Sequence, residues 1–184
     1  YVAQSFISYL VNGPLKADNA PSPFSELVAK SAYLPTIMEK TQAHAGIFLG
    51  LGLAIVLTVA FAVTAWGYRV DAVGQNPVAA SYAGMSVNRT ILSVMALSGG
   101  LAGLAGSSEV LGLKRRLFED FSPGYGFDAL AIALLSRGNP LVVILTSFFF
   151  GALRSGANVM QRSASVPVSI IYAIQGLTVL FVAI

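Results

Sequence analysis

Long apolar runs alternate with short polar segments along this chain, and the lengths of the runs predict several membrane-spanning helices. Residues 46–66 carry no charged side chain, and about 20 apolar residues cross about 30 Å of hydrocarbon as a helix. Residues 90–112, 141–157 and 166–184 form further apolar runs, and 1–12 resembles the tail of a preceding span. The pattern therefore predicts an all-α, polytopic transmembrane helical bundle.

One apolar segment is too short to cross a membrane alone. Residues 127–135 lie between glycines at 124 and 126 and the Gly138-Asn139-Pro140 turn. Broken helices of this kind persist at membrane depth only where protein or water surrounds them. We therefore expect a short helix inside the bundle.

A polar segment between two apolar runs predicts a short capped helix outside the bilayer. Asn76 can accept hydrogen bonds from the first free N–H groups, and Pro77 suits the first helical position. Val78, Tyr82 and Met85 recur at i, i+4 and i+7 and would form one apolar face. Helices that lie on lipid usually carry Lys or Arg on the polar face, and this segment has neither. We therefore interpret it as a docking surface for a cytoplasmic partner.

Composition agrees with a membrane protein and excludes several other classes. The 184 residues are 55% hydrophobic and 10% charged, with a mean hydropathy of +0.74, which is too apolar for a soluble domain. The net charge of +3 is scattered apart from Lys114-Arg115-Arg116, so a nucleic-acid surface has no support. Cysteine is absent and there is one histidine, so we predict no disulfide and no metal site.

Enzymatic motifs are missing as well. The chain has no Gly-x-x-x-x-Gly-Lys-Ser/Thr loop for ATP phosphates and no His-Glu-x-x-His or paired-carboxylate arrangement. We therefore expect no covalent chemistry and no cofactor bound by this chain. An ion-coupled secondary transporter is a further alternative, but it would place acids deep in several spans, and such acids are few here.

Several glycine-rich and polar motifs occur in an order typical of one transporter family. The motifs are SYLVNGPL at 8–15, GQNPxAAxxAG at 74–84, LSGGLAGLAG at 97–106, FSPGYGFDALA at 121–131, Asn139-Pro140, and GALRSGANxMQ at 151–161. In this order they resemble the branched-chain amino acid and monosaccharide permeases of bacterial ABC importers, and the downstream motifs resemble the nucleoside-uptake branch.

The resemblance implies a single transmembrane domain over residues 1–184, which would be the C-terminal half of a longer permease in the bacterial plasma membrane. It implies an extracellular loop at 14–43, with 113–125 on the same side, and a cytoplasmic coupling loop at 67–89. Its partners would be membrane lipid, a second permease subunit, a solute-binding protein and an ATPase subunit that binds ATP and Mg²⁺. The implied coupling residues are Gly74, Asn76, Pro77, Val78, Ala79, Ala80, Tyr82, Gly84 and Met85.

The solute that this resemblance implies is a nucleoside, and a monosaccharide or a branched-chain amino acid is the alternative. Tyr125, Phe127 and Asp128 offer aromatic faces and an acceptor beside the broken helix, which would suit a base and its hydroxyls. Asp128 has a second interpretation, as a cap for free N–H groups at the start of that helix. Asn158 and Gln161 would either face the pathway or lie in a polar loop.

Two predictions concern packing inside the membrane. Gly99, Gly103 and Gly106 line one helix face and would permit close approach of a neighbouring helix. Glu109, in an apolar segment, is expected to face protein or water because a charge facing lipid costs about 2.5–3.5 kcal/mol.

Overall fold

The computed structural model describes residues 2–17, 22–37, 43–119 and 124–164, with scattered positions between 169 and 180. These residues form seven α-helices and no β-strand, which confirms the all-α prediction. The helices are α1 Val2–Asn12, α2 Gly46–Val63, α3 Ala65–Gln75, α4 Pro77–Tyr82, α5 Val87–Glu109, α6 Tyr125–Leu135 and α7 Pro140–Ala164.

Three of the described helices are long and apolar enough to cross a membrane. They are Gly46–Val63, Val87–Lys114, in which one π-helical turn continues α5, and Pro140–Ser163. The predicted run 141–157 thus belongs to a longer helix, whereas most of the run 166–184 lies outside the described residues. The short α6 is 11 residues long, as the broken-helix prediction requires.

The first predicted span ends earlier than expected. Thr64 is extended, with φ −103° and ψ 149°, and its Oγ1 accepts a hydrogen bond from the Gly67 N–H at 3.0 Å. Thr64 therefore ends α2 and caps α3, because a hydroxyl at that position satisfies a free N–H. Trp66, predicted to end the span, lies in α3, and its Nε1 donates to Ser93 Oγ of α5 at 3.0 Å.

The backbone forms two compact units. The first unit comprises Tyr1–Leu53 and Val59–Pro123, and the second comprises Ala54–Thr58 and Gly124–Ile184. The first therefore holds α1, α3, α4 and α5, and the second holds α6 and α7.

In the first unit, the segment 22–37 lies against residues 110–118. The Ser25 N–H donates to the Leu117 carbonyl at 2.8 Å, and the Val28 N–H donates to the Arg115 carbonyl at 3.0 Å. Arg115 and Arg116 lie over the rings of Tyr33 and Phe24, at 5.0 and 4.7 Å from the ring centroids. The described parts of the two loops predicted to share one side of the membrane are thus in contact.

Two of the three glycines predicted to permit close packing, Gly99 and Gly103, have no close neighbour among the described residues. A Cβ built at Gly99 or Gly103 would meet no atom within 4 Å, so the predicted close neighbour is absent among the described residues. By contrast, a Cβ at Gly112 would lie 2.5 Å from His44 Cγ, and one at Gly67 would lie 2.5 Å from the Phe61 backbone. Close approach therefore occurs at the two ends of α2, where the chain enters and leaves the span.

The second unit is built around the turn between α6 and α7. Arg137 and Gly138 both have positive φ, 50° and 75°, and the nearly buried Ser136 closes α6. Asn139 Oδ1 then accepts the Leu141 N–H at 3.0 Å, and Pro140 is the first residue of α7. This four-residue turn returns the chain so that α6 packs against α7.

Candidate functional site

Asn76 joins two helices and caps the second of them. It ends α3 in an extended conformation, and its Oδ1 accepts the N–H groups of Val78 and Ala79 at 3.1 and 3.0 Å. Pro77 occupies the first helical position, where its missing N–H costs no hydrogen bond. The predicted capped helix is therefore confirmed at its amino end.

The helix ends three residues earlier than its apolar pattern suggested. Gly84 has φ +80°, and its N–H donates to the Ser81 carbonyl at 3.0 Å, while the Met85 N–H donates to the Ala80 carbonyl at 3.0 Å. These paired bonds around a left-handed glycine are the Schellman termination of a helix. The prediction that Met85 shares a helical face with Val78 and Tyr82 is therefore wrong.

The apolar face of α4 formed by Val78 and Tyr82 projects away from the rest of the protein. The side chains of Val78 and Tyr82, one turn apart on α4, are 62% and 88% exposed, whereas Ala80 is only 4% exposed. Ala79, and Gly74 in the last turn of α3, are also exposed. Helix α4 is therefore held from one side and presents an aromatic and an aliphatic side chain on the other.

Helices α3, α4 and α5 form one connected assembly. Helix α4 packs against both α3 and α5, and the hydrogen bond from Trp66 to Ser93 joins α3 to the span α5. Both ends of α4 are fixed by hydrogen bonds to its own backbone or cap. A force applied to α4 would therefore move the span instead of being absorbed in a loose loop.

The second candidate site is an ion pair between α6 and α7. Arg154 Nη1 of α7 donates to Asp128 Oδ2 of α6, and the two side chains are 25% and 19% exposed. The Arg154 guanidinium also lies 4.3 Å from the centroid of the Tyr125 ring, one turn before Asp128. Two predicted pathway residues, Tyr125 and Asp128, are thus brought together by an arginine that sequence analysis did not single out.

The structure addresses one of the two interpretations of Asp128, namely that its carboxylate caps the start of α6. Helix α6 begins after Gly124, which has φ +77° and as the N-cap residue supplies no side-chain hydrogen bond to the helix. The Asp128 carboxylate lies in the first turn, where the helix dipole favours a negative charge, but it pairs across to Arg154. Capping therefore does not account for this carboxylate.

Asn158 and Gln161 belong to α7 and not to a loop. They follow Arg154 by four and seven residues, so the three side chains lie on one face of the helix. Asn158 and Gln161 are both exposed. A polar stripe therefore continues along α7 from the ion pair.

Phe127 does not join this cluster. It lies three and seven residues before Leu130 and Leu134, so the three share a face of α6, and Phe127 is 78% exposed. This face is wholly apolar, which suits lipid or another hydrophobic helix. Phe127 is therefore the predicted pathway residue with the least geometric support.

Both candidate sites contain few side chains that could bind a metal ion or a solute. Among the described residues, no three His, Cys, Asp or Glu side chains come together in a way that could hold a metal ion. The candidate pathway groups of the described residues are one ion pair, one phenol and two amides. They can donate and accept hydrogen bonds while contributing no net charge.

Comparison with known proteins gives a family that fits this architecture. Residues 1–183 match the family described as branched-chain amino acid transport system, permease component. The chain is 34% identical over 191 residues to a glucose ABC transporter permease protein of Haloferax volcanii, with 98% of this chain and 50% of that protein covered. It is 31% identical over 186 residues to a guanosine ABC transporter permease protein of Bacillus subtilis, with 100% and 53% covered.

A nucleoside ABC transporter permease protein of Lactococcus lactis is 26% identical over 156 residues, with 84% of this chain and 43% of that protein covered. No solved structure matches the chain significantly. The chain spans about half the length of the curated relatives it matches.

The family match and the three membrane-length helices identify an integral, multi-pass membrane protein. The chain belongs to the permease-component family of branched-chain amino acid transport systems, whose members here are ABC transporter permeases.

Proposed function

We propose that this chain is the C-terminal half of a permease subunit that imports nucleosides, driven by ATP hydrolysis in a separate ATPase subunit. The observation that carries the transport role is α4, a helix fixed at both ends that projects Val78 and Tyr82 from between two spans. Apolar side chains exposed in this way on a polar segment need a partner to cover them.

In this proposal α4 is the coupling helix and rests in a groove of the ATPase. Tyr82 and Val78 enter the groove as i, i+4 anchors, as in other complexes where a helix lies in an apolar groove. Movement of the ATPase then passes through Ala80 and the Asn76 junction to α3 and α5. Residues 14–37 and 113–119 face the outside, where a solute-binding protein delivers its solute.

The solute pathway in this proposal runs past the polar stripe of the second unit. Asp128 and Arg154 neutralise each other, so the pathway offers hydrogen bonds without attracting either charge sign. Tyr125 supplies an aromatic ring, and Asn158 and Gln161 supply amides. An uncharged solute with hydroxyl groups and a stackable base suits these groups best.

Monosaccharides are the second candidate, because the glucose permease relative is 34% identical to this chain. A sugar would use the same hydroxyl-binding groups but would not need an aromatic ring for a base. Branched-chain amino acids fit less well, since a zwitterion would leave two charges to satisfy at an ion pair that is already closed.

Uptake by the complete transporter tests the substrate. The full permease, its ATPase and its solute-binding protein are reconstituted in proteoliposomes with internal ATP, and entry of radiolabelled guanosine, glucose and leucine is measured separately. We expect guanosine to accumulate and unlabelled adenosine to compete with it. Glucose accumulation without guanosine entry would favour the monosaccharide function, and leucine accumulation would contradict both.

A further inference from the structure

A basic cleft lies beside α4, between α3 and the start of α5. Its volume is about 640 Å³, and its lining includes Trp66, Tyr68, Arg69, Ser86, Arg89 and Thr90. That volume is within the range of about 300–1,000 Å³ usual for small-ligand sites. Val78 and Tyr82, which form the proposed coupling surface, are not part of the lining.

Both arginines of the cleft are exposed and face no acid. No described carboxylate lies within salt-bridge distance of Arg69 or Arg89. The nearest acid in α3, Asp71, does not line the cleft, and its Oδ2 accepts a hydrogen bond from Gln75 Nε2 at 2.9 Å. The cleft therefore concentrates two positive charges, with the Ser86 hydroxyl as a further donor beside them.

The cleft lies at the level where a membrane meets water. The span α2 ends at Val63 and the span α5 begins at Val87, and the cleft is lined by residues just beyond the first and just inside the second. Trp66 and Tyr68 are of the residue types enriched at this boundary. Leu92, one turn into the span from Arg89, is exposed and extends an apolar surface below the cleft.

We propose that this cleft binds the phosphate group of an anionic phospholipid. The guanidinium groups of Arg69 and Arg89 would bind the phosphodiester oxygens, since arginine forms strong, directional hydrogen bonds to phosphate. The acyl chains would follow the exposed apolar side chains of α5. Basic pockets between membrane helices are a known physical basis for selecting anionic head groups.

Two features favour a lipid over an acidic surface of a partner protein. The cleft reaches inward to Thr90 and Ser93, which belong to the span, whereas the surface that projects outward is apolar. An acidic partner surface would have to enter the headgroup layer to reach these arginines. A phospholipid already carries its phosphate at that depth, with its acyl chains against the span.

The test uses the complete transporter, purified with its ATPase in a neutral detergent. Native mass spectrometry follows the titration of short-chain phosphatidylglycerol into the wild type, Arg69→Gln, Arg89→Gln, the double variant, and Arg69→Lys/Arg89→Lys. Parallel titrations use phosphatidylcholine and free glycerol 3-phosphate. Arg116→Gln, at the other end of the α5 span, is the matched control for removal of one positive charge.

We expect phosphatidylglycerol to bind the wild type, with its affinity reduced about fivefold for each arginine replaced by glutamine and about 25-fold for both. The lysine pair should bind with an affinity between those of the wild type and the double glutamine variant, because lysine keeps the charge near the anionic head group but loses the directional hydrogen bonds of arginine. Arg116→Gln should bind as the wild type does. The two single glutamine variants keep the test decisive if the double glutamine variant fails to fold.

Three results would overturn the proposal. Wild-type phosphatidylglycerol affinity in the folded double variant would show that the arginines do not bind lipid. Equal affinity for glycerol 3-phosphate would assign the cleft to a soluble phosphate ester. Loss of ATPase subunit from the double variant with unchanged lipid binding would assign the cleft to the ATPase interface.

Discussion

Arg154 of α7 donates a hydrogen bond to the carboxylate of Asp128 of α6, and its guanidinium also lies over the Tyr125 ring. A lone carboxylate in a membrane helix would attract cations and repel anions. Paired in this way, Asp128 would contribute a local dipole and hydrogen-bonding capacity to the proposed pathway without a net charge. The pair therefore fits an uncharged polar solute, and its two members have to be tested together.

We predict that Asp128→Asn and Arg154→Gln will each lower the stability of the transporter by about 1–3 kcal/mol, because each leaves a partly buried charge without the opposite charge that neutralises it. Thermal unfolding of the purified transporter measures this loss, and uptake of radiolabelled solute is measured beside it. Both single variants should transport poorly.

The double variant Asp128→Asn/Arg154→Gln separates a structural role from a pathway role. Neither neutral amide leaves an uncompensated charge, so the double variant should be more stable than either single variant. We expect uptake to stay low because the charged acceptor is missing from the pathway. Recovery of both stability and uptake would reduce the pair to a structural contact.

The cap of α4 gives a second prediction. Asn76→Ala removes the acceptor of the Val78 and Ala79 N–H groups and should destabilise α4 by about 1 kcal/mol. ATP-driven uptake should fall while the spans remain inserted. Asn76→Asp should keep nearly full uptake, because aspartate caps as well as asparagine. Equal uptake by the alanine and aspartate variants would show that the cap plays no part in coupling.

Two glycines provide a matched comparison. Gly84 has φ +80° with open space around it, so Gly84→Ala should cost about 1–2 kcal/mol through backbone strain alone. Gly84→Asn should cost less, because asparagine tolerates the left-handed conformation. Gly99→Ala adds a Cβ that would meet no atom within 4 Å among the described residues, so it should cost nothing measurable in this half of the permease. Melting temperatures of the four proteins check the order.

A larger loss of stability for Gly99→Ala than for Gly84→Ala would give information about the packing of α5. It would mean that a helix outside this chain packs on the Gly99 face, as the sequence pattern first suggested. The Gly84 prediction would then have to be judged against Gly84→Asn alone.

Orientation in the membrane gives a further prediction. The chain contains no cysteine, so single cysteines at Glu26, Lys30 and Asn88, all exposed, can be introduced into a cysteine-free permease. In intact cells, a membrane-impermeant maleimide should label positions 26 and 30 but label position 88 only after the membrane is opened. Labelling of position 88 alone in intact cells would reverse the proposed orientation.

Sequence analysis located features whose cause is local. Asn76 and Pro77 specify the start of α4 through side-chain and backbone chemistry within four residues, so the cap was predictable. The short α6 followed in the same way from glycines and the Asn139-Pro140 turn that bound it. The apolar pattern suggested that α4 continues to Met85, but a glycine at position 84 ends the helix because it adopts a left-handed conformation.

Features that depend on distant contacts were not predictable. Arg154 lies 26 residues from Asp128, and only the packing of α6 on α7 brings them together. The glycine pattern on α5 predicted close packing at Gly99 and Gly103, whereas the distant close contact in the structure is between Gly112 and His44. Helical periodicity indicates which residues share a face but not which neighbour covers it.

Replacement of Tyr82 tests the central claim most directly. Tyr82 is the more exposed of the two large apolar side chains of α4, and in the proposed complex a charge at this position would have to be desolvated to enter the ATPase groove. We predict that Tyr82→Asp abolishes copurification of the ATPase and ATP-driven uptake, while Tyr82→Phe retains both and the permease still inserts in the membrane. Wild-type amounts of bound ATPase together with normal uptake in Tyr82→Asp would contradict the assignment of α4 as the coupling helix.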